Sequence, residues 1–341
     1  MGSIGNPPSQ KGFIRFTVPD NSIPPEERGL FGIPGNKLVK EEEIDVIDYR
    51  NATDENVVKE PQGLDVQGFT YVEHFSSLIE GDKWFELEGE EFEKVYFEEV
   101  KELICKVTGA SRAVVNNSGF RRKPVALQND PNWVHMKGTE LDKMLCALPR
   151  DRALLAGHGS VDSSLEPLRG AHIDYSQKGL RDTARYCRKD IYAAAKKALD
   201  AEDRLAAGEQ VKVPRYAAYS VWRPTKTVKR DGLAVSDWRC LDESEIEPFS
   251  YRSPSNVTES GEFFREGSML LPPKKPEQQK WYTMTGQQPH EVLILKLGDT
   301  AADADPGIAK AAAHCAPRIE GQENEEARSS VECRVLVFWD E

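Results

Sequence analysis

The feature that most constrains this chain is the spacing of short apolar runs in its second half. Segments 215–222, 232–236, 261–264, 268–271, 280–284, 290–297 and 331–339 are rich in aliphatic and aromatic residues, with Pro and Gly between them. Runs this short and this often interrupted read as strands joined by turns. The first half reads differently. Phe92, Val95, Tyr96, Val100, Leu103, Ile104 and Val107 recur at three and four, predicting a helix over about 89–108 that Gly109 stops. A helical part followed by many strands predicts a mainly β protein with flanking helices, an antiparallel barrel or sandwich rather than a βαβ series. Val331–Trp339 is apolar on both faces, as expected of a central, covered strand. Neither a G-x-G-x-x-G nor a G-x-x-x-x-G-K-[ST] stretch occurs, so nucleotide-binding folds have no support.

The expected organisation is a tail with loops over 1–40, a helical and irregular part over 41–165, and a β core over 166–341 with a helical insertion at about 181–207. Residues 1–12 and 19–37 are rich in Pro, Gly, Ser and Asn and flank one short strand, Phe13–Val18. Residues 124–165 read as an irregular, lid-like excursion with a short amphipathic piece near 139–147. A net charge of −12 argues against nucleic acid or an anionic membrane as the main partner, because phosphate binding needs a basic field. No apolar run approaches the ~20 residues of a spanning helix. The N-terminus lacks the basic and apolar regions of a secretory signal. The six Cys are scattered without C-x-x-C spacing, which fits reduced, buried thiols in a cytoplasmic protein and argues against structural zinc.

The candidate site starts at Gly170-Ala171-His172-Ile173-Asp174-Tyr175-Ser176. Side chains alternate along a strand, so His172 and Asp174 share a face and can supply two ligands of a 2-His-1-carboxylate iron site. Six His among 57 acidic residues make about one such pair a chance occurrence, so the motif needs company. A second His must come from a distant strand. His314 in Ala312-Ala313-His314-Cys315 is available, with His290 as the alternative. Arg334 lies inside the apolar strand Val331–Trp339, where a guanidinium needs an anionic partner. A ligand carboxylate held bidentately is one such partner, and Glu332 on the same face is another. His74, His135, His158 and His290 otherwise read as surface or core histidines.

These residues carry a resemblance. Pro167 through His172-Ile173-Asp174-Tyr175-Ser176, Val221-Trp222-Arg223-Pro224, Leu233-Ala234-Val235-Ser236-Asp237, Trp281-Tyr282, Glu291–Lys296, Ala313-His314 and Val331–Phe338 together resemble the gibberellin-desaturase-like family. Its relatives include the cephamycin-biosynthesis protein J type and fungal hydroxylase/desaturases of natural-product clusters. Thr108–Arg112 and Arg121-Arg122 also fit, so the likeness spans about 45–341. It implies a double-stranded β-helix of the jelly-roll or cupin kind and a non-haem Fe(II), 2-oxoglutarate-dependent dioxygenase. Such an enzyme uses dioxygen to oxidise an unactivated C–H bond of a small molecule by hydroxylation, desaturation or cyclisation. By motif position His172, Asp174 and His314 are the implied metal ligands and Arg334 the implied 2-oxoglutarate anchor. Tyr216–Arg223 is the implied pocket strand, with Tyr219 and Arg223 as cosubstrate or substrate contacts. The departures are a long stretch between Arg122 and His172, a long helix after Ser176, and Ala-Ala-His-Cys-Ala around His314 in place of the more usual Pro-His-Thr-Ala. The altered surroundings of His314 keep open a cupin-like binding or scaffold protein without turnover; a second alternative is an iron oxygenase of the same fold that does not use 2-oxoglutarate, in which Arg334 would not matter for activity.

Overall fold

Two sheets face one another across the larger of the hydrophobic cores. A computed structural model describes residues 9–53, 57–59, 61–80, 83–87, 89–125 and 133–340. In chain order the strands are β1 (Ser9–Asp20), β2 (Gly35–Asp48), β3 (Phe69–Glu73), β4 (Arg112–Arg121), β5 (Leu154–Ala156), β6 (His172–Ile173), β7 (Tyr216–Pro224), β8 (Ala234–Ser236), β9 (Ile246–Pro254), β10 (Glu262–Leu270), β11 (Trp281–Thr283), β12 (Glu291–Asp299), β13 (His314–Cys315), β14 (Arg318–Ile319) and β15 (Ser330–Phe338). One sheet runs β14-β1-β2-β11-β8-β13-β6-β10-β9 and the other β3-β12-β7-β15-β4-β5. β15 lies between β7 and β4, antiparallel to both, which accounts for its apolar residues on both faces.

The alternation of side chains divides the core. Tyr216, Ala218 and Trp222 of β7 and Leu336 and Phe338 of β15 point between the sheets, toward Val235 and Tyr282. Their neighbours Ala217, Tyr219, Val221, Val335 and Val337 point the other way, onto a long helix. That helix covers 90–108 and contains a π turn at Glu93–Phe97. Phe92, Tyr96, Val100, Leu103 and Ile104 are its buried stripe, at on the order of 1.5–3 kcal/mol each. Gly109, with φ 71°, ends it in the left-handed conformation that glycine adopts freely. Helices Gln177–Tyr186 and Lys189–Ala206 close one end of the inner core through Leu180, Ala184, Ile191, Ala195 and Leu199.

Several elements differ from the sequence expectation. The N-terminal part is not a tail with one short strand: β1 and β2 pair along nearly their whole length and extend the first sheet. The charged run at 40–45 hid this, because it is the wet face of a half-exposed strand. The helix expected at 181–207 is two helices, broken where Arg188 turns extended (φ −150°, ψ 143°) and its guanidinium donates to the carbonyls of Val115 and Asn116. Segments 261–264 and 268–271 are one strand, β10. Within the expected excursion 124–165, the structure contains a short helix, Glu140–Cys146, and β5, which pairs with β4 in parallel; 126–132 lie outside the described residues. Among the described residues no helix is long and apolar enough to cross a membrane.

Candidate metal centre and its surroundings

β6 and β13 are only two residues long, yet they place the three candidate ligands. His314 pairs directly with His172 across the ladder, and Asp174 follows β6 on the same face as His172. One donor atom from each of His172, Asp174 and His314 lies within 4.8 Å of the other two. His172 Nε2 is 3.7 Å from Asp174 Oδ1, and His314 Nε2 is 3.8 Å from Asp174 Oδ2. The other ring nitrogens are held by backbone. His172 Nδ1–H donates to Gly170 O at 2.9 Å and His314 Nδ1–H donates to Ala312 O at 3.2 Å. A carbonyl only accepts, so this assignment leaves both Nε2 lone pairs directed at the carboxylate-lined space, as metal ligation requires.

The charge state suits a cation. Burial, and then the proximity of His314, lower the His172 pKa to about 4, so the ring is neutral at neutral pH and its lone pair is free. Burial, the largest influence, pushes the Asp174 and Glu332 carboxyls up, but Arg334, Arg121 and His314 together outweigh it and both are held down as carboxylates. Arg334 Nε is 3.0 Å from Asp174 Oδ2 and 3.3 Å from Glu332 Oε1, and Ser220 Oγ–H donates to Glu332 Oε1 at 2.8 Å. Asp174 Oδ2 is buried and meets Arg334 as an ion pair without a well-aligned hydrogen bond. Two imidazoles whose Nε2 atoms face a buried carboxylate form a donor set that a divalent iron fits.

Two expected contacts are elsewhere. Tyr219 and Arg223 both lie on the outward face of β7, in or beside the core under helix 90–108. Arg223 is fully buried and already satisfied. It donates to His74 O at 2.7 Å, to Pro289 O at 2.8 Å and to Tyr96 Oη at 3.2 Å. The inward residues are their immediate neighbours, Ser220 and Trp222. Arg223→Met is therefore expected to lower the melting temperature without changing the KM for 2-oxoglutarate, measured by thermal unfolding and succinate release; a buried guanidinium that loses its bonds costs about 2–4 kcal/mol.

Arg334 is placed beside the triad, but Asp174 and Glu332 already neutralise it. A different guanidinium has charge to spare. Arg328 is 2% exposed, Nη1–H donates to Asp231 O at 2.7 Å, and Nε has no hydrogen-bond partner. Burial, and then the Arg121 guanidinium, lower its pKa to about 9. Ser330 Oγ, two residues on and also buried, is likewise unpartnered. Asp231 holds φ 61°, and its carboxylate is taken by Arg169 at 2.6 Å. Arg121, Arg169, Arg328 and Arg334 thus face Asp174, Asp231 and Glu332, an excess of cationic groups among the described residues near the triad. Sequence inspection passed over Arg328. The usable signal was parity, since it lies an even number of residues before the inward Ser330, Glu332 and Arg334.

Known proteins agree with this geometry. A family model described as "Oxidoreductase/YMDC permease-like domain" matches residues 32–338. The chain is 30% identical over 293 residues to the gibberellin cluster GA4 desaturase of Gibberella fujikuroi, covering 81% of this chain and 82% of that protein. It is 28% identical over 280 residues to an alpha-ketoglutarate-dependent dioxygenase of Talaromyces stipitatus, covering 81% and 82%. The solved structure of the iron and alpha-ketoglutarate-dependent endoperoxidase NvfI superposes with a TM-score of 0.60 at 22% identity, over 97% of this chain and 98% of that one, which shows the shared fold. With two facing sheets in double-stranded β-helix order and a similarity running nearly end to end, the chain belongs to the gibberellin-desaturase-like family of iron- and 2-oxoglutarate-dependent oxygenases.

Proposed function

We propose that this protein oxidises an unactivated C–H bond of a small natural product, with His172, Asp174 and His314 holding Fe(II) and Arg328 anchoring 2-oxoglutarate. The observation that carries the reading is the meeting of two imidazole nitrogens and the Asp174 carboxylate on and beside paired strands. Iron held by these three side chains would retain room for a cosubstrate. When bound, iron, 2-oxoglutarate and dioxygen supply the oxidising power, with succinate and carbon dioxide as products.

The chain's own part is positional and electrostatic. The carbonyls of Gly170 and Ala312 fix both imidazole planes. Arg334 and Glu332 orient Asp174. Two carboxylates already occupy Arg334, whereas Arg328 combines burial, an Nε without a hydrogen bond and the unpartnered Ser330 hydroxyl two residues away. A carboxylate bound there would relieve an uncompensated buried charge. Trp222, with its ring 5.4 Å from the Arg328 guanidinium, helps keep that end dry. Hydroxylation, desaturation and cyclisation differ in which hydrogen the pocket presents and how fast the substrate radical is captured. A reducing, cytoplasmic setting fits the six unpaired cysteines.

The test is spectroscopic. Anaerobic Fe(II) with 2-oxoglutarate should give the wild type a weak visible charge-transfer band, and His172→Ala should lose it. A wild type without the band, or a His172→Ala variant that keeps it in full, would remove the assignment.

A further inference from the structure

Arg334 meets two carboxylates with one Nε–H. Its Nε is 3.0 Å from Asp174 Oδ2 and 3.3 Å from Glu332 Oε1, yet the longer contact is the hydrogen bond. The Nε–H is directed at Glu332, and Asp174 Oδ2 receives the charge without the proton. Hydrogen bonds between ionised groups are roughly twice as strong as neutral ones. Which of the two acids holds this one therefore decides how freely the other can donate its lone pairs to a metal.

Strand register explains the choice. Glu332 and Arg334 are two apart on β15 and share a face. Ser220 of β7 is opposite Arg334, and Trp222 of β7 is opposite Glu332. Ser220 Oγ–H donates to Glu332 Oε1 at 2.8 Å, the same oxygen that accepts from Arg334. A hydroxyl on the adjacent strand thus fixes the acceptor. All three side chains belong to one sheet, whereas Asp174 follows β6 of the other. Asp174 meets an arginine whose N–H is already committed. Arg121 of β4 is a further cation facing both Glu332 and Asp174, and its Nη1–H donates to Glu166 O.

Resting on the proposed iron site, we infer that Glu332, braced by Ser220, is a positioning residue of the metal centre: it holds the Arg334 N–H away from Asp174 and so keeps that carboxylate a strong metal donor. Without the Glu332 charge, the Arg334 Nε–H turns to Asp174 Oδ2, and a hydrogen bond then competes with the metal for the same carboxylate. Without Arg334 there is no N–H to divert. Glu332 therefore matters to metal binding only while Arg334 is present.

A double-mutant cycle tests this with Mn(II) as the probe, titrated into the metal-free protein and followed by the paramagnetic resonance signal of the free ion. Glu332→Gln should weaken Mn(II) binding roughly tenfold in the wild-type background and less than about threefold in an Arg334→Met background. Wild-type affinity in Glu332→Gln, or an equal loss with and without Arg334, overturns the inference; in the second case the carboxylate acts by its charge alone. Ser220→Ala leaves every charge in place. It should weaken Mn(II) about threefold with Arg334 present and not at all without it. That variant decides the matter if Glu332→Gln fails to unfold cooperatively. A spectrum separates positioning from loss of fold. With Fe(II) and 2-oxoglutarate, the charge-transfer band of Glu332→Gln should move to shorter wavelength, because a weaker carboxylate donor leaves the iron less electron-rich. A band that loses intensity without moving counts against the role. His172→Ala is the reference: if it binds Mn(II) like the wild type, the iron site itself fails, whereas a wild type that needs His172 but not Glu332 sinks this inference alone.

Discussion

Arg328→Gln should raise the dissociation constant for 2-oxoglutarate roughly 100-fold, about 2.7 kcal/mol, while the unliganded protein keeps its melting temperature within about 3 °C. The two halves of this result have one cause. Arg328 is buried with a lowered pKa, so folding disfavours its charged form, and that strain is relieved only when an anion sits beside it. Removing the charge removes a penalty and gives up the bond to Asp231 O, two changes that oppose each other. Ligand binding loses its ionic partner outright. At a 2-oxoglutarate concentration 100 times the wild-type constant, ligand stabilisation should fall from about 2.7 to about 0.4 kcal/mol. Differential scanning calorimetry with and without 2-oxoglutarate reads both numbers. A variant still stabilised like the wild type would return the anchor role to Arg334.

The second large effect is expected at a glycine five residues after Asp174 that touches none of the candidate ligands. Gly179 lies in the first turn of helix Gln177–Tyr186, against β10. A Cβ built there would sit 1.9 Å from Glu266 O and 2.8 Å from Glu266 C. Both obstacles are backbone, so the helix and the strand must separate. Gly179→Ala should cost about 2–4 kcal/mol, and the melting temperature should drop by roughly 3–6 °C. The damage should reach the metal centre as well. Ser176 caps this helix, its N–H donates to Glu266 O at 3.1 Å, and Ser176 is two residues from Asp174. Iron affinity, titrated anaerobically, should therefore fall together with stability. Unchanged unfolding in Gly179→Ala would show that this helix is not what presses β6 into place.

Much of the architecture was legible because strands carry their own signal. The apolar runs at 290–297 and 331–339 became β12 and β15 almost residue for residue, and the 3.6-residue stripe at 92–107 became the helix that covers them. β9 and the whole of β2 carry no such signal. β2 carries Glu41-Glu42-Glu43 in its middle, and a strand with one wet face and an acidic run looks like loop in sequence.

The site divided along a physical line. His172 and Asp174 share a strand face, which period-two alternation dictates within one segment, so the sequence by itself paired them and ordered His314 after them. It also specified the apolar strands and the covering helix, because those depend on local composition and spacing. Which face of β7 looks inward was not in the sequence: every residue from Tyr216 to Pro224 is buried, no polar alternation marks the sides, and Tyr219 and Arg223 were one residue out of phase with the pocket. Which arginine is free was likewise a tertiary matter. Arg334 is neutralised by Asp174 from another sheet, and Arg328 lacks an acid that only a distant strand could have brought. A charge's partner is set by distance in space, and for residues far apart in the chain that distance exists only once the two sheets have closed on each other.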